Sequence, residues 1–137
     1  MTIARVPRRY RRAVHVSRRR FEELVSDELD ALPDELPDEL ADAMDNVAVL
    51  VEDLPSPEAR GGHGTLLGLY EGVMLTDRSP LDTSMHLPDR ITLYRLPLCR
   101  LSRDEDDLAH HIRVTLLHEI GHHFGLDDDR LEELGWA

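Results

Sequence analysis

The stretch from residue 103 to 124 places the tightest limit on what this chain can fold into. On a helical wheel at about 100° per residue, with His118 at zero, Ala109, Ile112, Val114, Leu116, Leu117, Ile120 and Phe124 spread from about 120° to 320°. A helix that is apolar over that much of its circumference has to be packed on most sides by the rest of the fold. What remains is a narrow polar stripe. His111 falls at about 20°, His122 at about 40°, Thr115 at about 60° and Glu119 at about 100°. Ser102 and Glu105 have the spacing of a capping box for the start of this helix. Gly125 suits its end.

The stripe has a chemistry of its own. Two histidines four residues apart on a helix can aim their imidazoles at one ion, and zinc at roughly 2.0–2.1 Å from nitrogen fits that reach. His118 and His122 are such a pair. His111 lies two turns away, too far for the same ion, though able to line a cleft. A catalytic zinc needs a third protein ligand and leaves its fourth position to water. Gly125 can take positive φ and turn the chain back toward the ion. Asp128, six residues after His122, is then the best-placed carboxylate. Asp127 and Asp129 compete with it, and Glu132 and Glu133 stand further off. Glu119 cannot easily coordinate beside its two neighbours. It can serve as a base toward water adding to a polarised carbonyl.

The rest of the chain must cover this helix. Ser17 can cap a helix from about Arg18 to Leu32, on which Phe21, Leu24, Val25, Leu29 and Leu32 recur at helical spacing. In LPDELPDEL each Pro-Asp-Glu can open a helical turn, and a short helix to about Met44 follows. NVAVLVED (46–53) is continuous and Val-rich, which predicts a buried strand. SPEARGGHG (56–64) reads as a loop, TLLGLYEG (65–72) as a second strand, residues 76–89 as a long loop and RITLYRL (90–96) as a third strand. A last helical turn or two spans about 129–135. The order is α-β-β-β-α-α, an α+β fold with helices against a small sheet.

A chain of 137 residues is expected to form one domain with one core. Aromatic residues are few, so aliphatic side chains must fill it. Cys99 is alone, which excludes an intrachain disulfide and a CxxC zinc knuckle. No run of 18 apolar residues offers a membrane span. The basic N-terminus lacks an apolar segment behind it, which speaks against a secretory signal, so the cytoplasm is the expected compartment. Charge is divided unevenly. Residues 1–20 hold eight arginines and no acid, and the remainder is at −20, for a net charge of −12. We expect residues 1–16 to be a basic arm and 17–137 to be the domain.

His118-Glu119-Ile120-Gly121-His122 is HExxH, and through Gly125 and Asp128 it extends to HExxHxxGxxD. This resembles the zincin metallopeptidases, specifically the small bacterial zincin-like domains with Asp as third ligand. NVAVLVEDLP, LLGLYEG, ITLYR and the motif helix carry the likeness from about residue 18 to the end. The resemblance implies a minimal-zincin α+β domain, with a three- to four-stranded mixed sheet packed by the N-terminal helix and the active-site helix. It implies one zinc ion held by His118, His122 and Asp128, with Glu119 as general base and a peptide or protein as substrate. The strand at 65–70 would be the cleft edge along which a peptide lies as an added strand. Larger metzincins place a methionine turn below the metal. No methionine follows Asp128 here, and Trp136 is expected to floor the site instead. His63, His86, Tyr70 and Tyr94 are unranked candidates to steady an oxyanion.

Plainer roles are expected elsewhere. His123, at about 140° on the wheel, reads as a hydrogen-bonded core or boundary residue. His15, His110 and His111 read as surface or cleft residues. Asp127 and Asp129 suit a solvated turn and a helix cap, Cys99 a buried position, and DELDALPDELPDEL a solvated acidic face. The arginine arm suits a solvated extension, with nucleic acid or an anionic surface as its functional alternatives and shielding of the cleft as a third. Two other functions compete with the peptidase. An rRNA-maturation family of zinc-dependent single-strand endonucleases uses HxxxHxxxxxH, which shares the ligand offsets. It closes its triad with His and lacks a Glu beside the first ligand, so Glu119 and Asp128 favour the peptidase. The other competitor is a scaffold that kept the fold without catalysis.

Overall fold

A computed structural model describes residues 13–34, 36–57, 66–72 and 89–136. The first helix, α1 (Arg18–Ala31), starts where expected: the Ser17 side chain accepts from the Arg20 N–H at 3.1 Å. Phe21, Leu24 and Val25 form its buried face. A 3-10 turn (Leu32–Asp34) and α2 (Asp38–Met44) follow. The LPDEL repeat buries both its first and second leucine after the helix, Leu32 and Leu36.

Among the described residues the sheet has three strands, β1 (Val47–Glu52), β2 (Gly68–Glu71) and β3 (Asp89–Tyr94), in the order β1-β3-β2. β1 runs parallel to β3 and β2 antiparallel, so the sheet is mixed as expected. The fully buried strand is β3, where Ile91, Thr92, Leu93 and Tyr94 are buried in succession. The expectation for NVAVLVED is corrected: β1 is an edge strand, with only Val51 buried and Leu50 43% exposed. An apolar run cannot by itself distinguish a central strand from an edge strand with one face half covered.

The expected third strand stops at Tyr94, and Arg95–Leu101 forms a helix, α3, that the pattern did not suggest. Pro97 sits in its first turn, where the missing N–H has no intrahelical acceptor to lose. Pro97, Leu98 and Cys99 are its buried side. Arg95 anchors its start, bonding Asp53 Oδ1 at 2.9 Å and the Val16 carbonyl at 2.8 Å. Ser102 therefore ends α3 rather than capping the next helix; its hydroxyl donates to the Leu98 carbonyl at 2.8 Å. Asp104 caps α4 (Glu105–His123), accepting from the Asp107 N–H at 2.8 Å. Glu105, Asp106 and Asp107 follow in the first turn, where acids suit the helix dipole. α5 (Asp128–Leu134) closes the fold.

α4 is the centre of the molecule, as its wheel requires. Leu108, Ile112, Leu116 and Ile120 are fully buried at four-residue spacing, against Phe21, Ile91, Leu93 and Leu98. Each such side chain contributes about 1.5–3 kcal/mol by leaving water. Phe124 departs from the wheel: it lies beyond the last helical residue and is 44% exposed. The body also reaches back into the expected arm. Val14 N–H bonds the Ser102 carbonyl at 2.8 Å, and Val16 is buried in the core. Residues 1–12, His63 and His86 lie outside the described residues.

Candidate metal centre

The site forms where α4 ends. His118 Nε2 and His122 Nε2 lie 3.0 Å apart, with their rings edge to face at a centroid distance of 4.5 Å. Asp128 Oδ1 lies 3.0 Å from His122 Nε2. The donor atoms of the three residues all fall within 4.8 Å of one another.

The turn between them explains how Asp128 arrives. Gly125 has φ +82°. Its N–H bonds the His122 carbonyl at 3.0 Å, and the Leu126 N–H reaches the Gly121 carbonyl at 2.9 Å. This pair of bonds is a Schellman motif, and it needs the left-handed residue that glycine supplies most cheaply. Asp127 then caps α5, accepting from the Arg130 N–H at 2.8 Å, which leaves Asp128 as the first helical residue with its carboxylate toward His122. Of the expected competitors, Asp127 is committed to the cap. Asp129, Glu132 and Glu133 line a surface hollow that includes none of the three donors.

Beneath the turn, buried Leu131 packs on Gly121; a Cβ there would collide with Leu131 Cδ2 and stand 3.5 Å from Leu126 Cδ1. Trp136, the expected floor, lines a cavity with Leu36, Pro37, Leu40 and Leu126 of this turn, and that cavity includes none of the donors. Gly121 is the position that the pattern alone did not single out. Its signal was available: a glycine in a helix interior, on the side to which the chain returns after Gly125.

Glu119 is half-buried and faces β2. Burial pushes its carboxyl above its ordinary value, and His118, the Tyr70 backbone N–H and His122 each offset part of that rise. A cleft of about 320 Å³ opens between Leu66, Leu67 and Gly68 on one wall and Val114, Thr115, His118 and Glu119 on the other. Gly68 lets the walls approach: a Cβ there would stand 2.8 Å from Thr115 Cγ2.

The other candidates have places too. The Tyr70 hydroxyl donates to Asp89 Oδ2 at 2.8 Å, and its ring stacks on His123 at 3.9 Å and 15°. Burial first, then the Asp89 bond, raises the Tyr70 hydroxyl above its ordinary value, so it is spent on structure rather than offered to the site. His123 departs from its wheel angle: it is exposed rather than buried, with Nε2 3.6 Å from Asp89 Oδ2. Tyr94 is buried. His111 Nδ1 contacts the Ser102 hydroxyl at 3.0 Å, near the opposite end of α4. Cys99 is buried and free, and burial pushes its thiol up.

Two imidazole nitrogens and one carboxylate oxygen are a donor set zinc accepts. A tetrahedral ion at those bond lengths holds neighbouring ligands about 3.3–3.5 Å apart. The two 3.0 Å separations are slightly tighter than that, and the exposed side chains of His122 and Asp128 (42% and 82%) are free to open by the difference. The residues fit the ion.

Among the described residues, no helix is long and apolar enough to cross a membrane. No curated protein matches this chain. The model of a family described as zincin-like metallopeptidase matches residues 44–136, from the end of α2 through all three strands to Trp136. α1, which the resemblance included, precedes the match. A zinc cofactor is what that family implies in general, in agreement with the donor set. The match takes in 93 of the 137 residues, and the chain therefore belongs to the zincin-like metallopeptidase family.

Proposed function

We propose that the chain is a zinc-dependent endopeptidase. The observation that carries this reading is the convergence of His118, His122 and Asp128 on one point, with Glu119 between that point and the edge of β2. His118, His122 and Asp128 would hold the ion. When bound, zinc supplies Lewis-acid polarisation of a carbonyl and of water. Glu119 takes the proton from the water that attacks the peptide carbonyl and returns it to the departing amine.

The chain's other residues orient the substrate. Among the described residues β2 is a sheet edge, and an extended peptide can join such an edge by main-chain hydrogen bonds. Leu66, Leu67 and Val114 make the cleft beside His118 and Glu119 apolar, which suits an aliphatic side chain next to the bond being cut.

The first test is zinc per chain in protein purified without added metal, beside Asp128→Ala. We expect about one zinc in the parent and much less in the variant. Cleavage of casein and of a quenched peptide library then tests the chemistry, with Glu119→Ala expected to keep its zinc and lose hydrolysis. A parent that holds zinc and cuts neither would be a metal-binding scaffold; one that takes up no zinc after reconstitution would end the proposal at its first step.

A further inference from the structure

β2 meets α4 along a seam whose strand side reads Gly68-Leu69-Tyr70-Glu71-Gly72. Alternate positions of a strand share one face, and here that face holds Gly68, Tyr70 and Gly72. At Gly68 an added Cβ would stand 2.8 Å from Thr115 Cγ2. At Gly72 it would stand 3.2 Å from His123 Cε1. Between them the Tyr70 ring stacks on His123 at 3.9 Å. The Tyr70 hydroxyl donates to Asp89 Oδ2 at 2.8 Å, which ties the seam to the first residue of β3.

The two glycine contacts set the register of strand on helix. From Thr115 to His123 a helix rises about 12 Å, at 1.5 Å per residue. From Gly68 to Gly72 a strand advances about 13 Å. The lengths agree, so β2 runs beside α4 in the same direction. Thr115, Glu119 and His123 form one ridge of the helix at four-residue spacing. Glu119 is the midpoint of that ridge and stands level with Tyr70, the midpoint of the strand segment. A side chain at either glycine would lift one end of β2 from the ridge. Thr115 is buried and β-branched, so its methyl has little freedom to step aside.

Pairing with β3 uses one edge of β2, and among the described residues no strand pairs with the other. A peptide added at that edge is held only as close to Glu119 as β2 itself is held. Resting on the peptidase reading, we infer that Gly68 and Gly72 are positioning residues, which seat the β2 backbone on Thr115 and His123 at either side of Glu119 and so fix the distance between the base and the edge that receives the peptide. The bond to be cut then falls opposite Tyr70. Each glycine acts through the strand and not by contact with the reacting atoms.

The experiment is a double-mutant cycle on the zinc-loaded full chain: parent, Gly68→Ala, Thr115→Ser and the two together. Thr115→Ser removes the Cγ2 that the new methyl strikes. Zinc affinity, unfolding stability, and kcat and KM on a quenched peptide that the parent cleaves are read for each. Gly68→Ala should keep zinc affinity within about threefold and lose about tenfold or more in kcat, because a misplacement of about 1 Å can cost about a hundredfold. In the Thr115→Ser background the same methyl should cost less than about threefold. An equal loss of kcat in that background overturns the inference. So does a loss confined to KM, which would make Gly68 a wall of the cleft and nothing more. Gly72→Ala, which does not line the cleft, is the second variant if Gly68→Ala does not fold. Its milder contact predicts a loss of about threefold in kcat with KM changed less; an unchanged kcat overturns the inference. A nuclear Overhauser contact between the Gly68 α-protons and the Thr115 methyl separates the two readings. A parent that holds zinc and shows this contact yet cuts no peptide defeats the peptidase reading. A parent that cuts peptides, with Gly68→Ala equal to it in kcat, defeats the positioning role alone.

Discussion

From α4 to the C-terminal helix the chain falls into two halves that are secured in opposite ways. From Leu108 to Leu117 the helix is held by volume, with Leu108, Ile112 and Leu116 fully buried among side chains from α1, β3 and α3. From His122 onward nearly every residue is exposed, and the chain is held by geometry: a left-handed glycine, two capping hydrogen bonds and Leu131 on Gly121. His118 lies between the two regimes and Asp128 wholly in the second. The metal would therefore bridge a rigid element and a pliable one. Core packing sets whether the protein folds, and the turn sets whether three donors meet.

Injuring each half in turn should move two quantities, stability and zinc affinity, separately. Leu116→Ala removes a fully buried side chain and leaves a cavity; unfolding stability should fall by about 2–5 kcal/mol. Zinc affinity of the molecules that remain folded should change little, because no donor depends on Leu116 alone. Denaturant unfolding and metal competition, run side by side, measure both. A large loss of affinity with Leu116→Ala would mean that the two halves are one mechanical unit.

Gly121→Ala attacks the second regime. The added methyl collides with Leu131, so α5 must shift or Leu131 must leave its place; overpacking of this kind costs about 1–3 kcal/mol. Because Leu131 is what seats α5, the displacement passes to Asp128 at its first residue. Zinc affinity should drop by about tenfold or more even where the protein stays folded. Leu131→Ala in the same chain supplies the missing space and should recover part of that affinity. No recovery would show that the glycine serves some purpose other than close approach.

That prediction also marks where reading the chain residue by residue succeeds and where it stops. His118, His122 and Glu119 were legible because a helix converts spacing directly into a shared face, and Asp128 because Gly125 signals a reversal of the chain. α1 and its Ser17 cap were legible for the same local reason. Gly121 was not, since its role depends on a leucine ten residues on that a turn brings back. β1 was misplaced because its valines report apolarity and not which neighbours cover them. α3 was missed because RLPLCRL reads locally as a continuation of the strand, while the bonds that anchor its start, from Arg95 to Asp53 and the Val16 carbonyl, go to partners remote in the chain. Trp136 lies in a cavity shared by the LPDEL segment, Leu126 of the turn and α5, a grouping that sequence distance does not show.

The smallest effects discriminate best, because they leave both halves folded. Asp104 and Asp127 do the same chemistry: each caps a helix by accepting from the N–H three residues on, at 2.8 Å in both cases. Replacing either by Ala should cost about 1 kcal/mol of helix stability. The consequences should cross. Asp104 starts the helix that carries the core, so Asp104→Ala should lower global stability by that amount and leave zinc affinity within about twofold. Asp127 starts the helix that presents Asp128, so its loss falls on an element with one buried side chain, Leu131, and little share in the global transition. In the metal-free protein Asp127→Ala should barely move the unfolding midpoint. Zinc binding must then order a looser turn, and about 1 kcal/mol of added ordering cost is close to a fivefold loss of affinity. Equal losses of affinity in the two variants would place α4 and α5 in one cooperative unit. A loss in Asp104→Ala alone would reverse the division, making the start of α4, well before His118 in the chain, the element that positions the ligands.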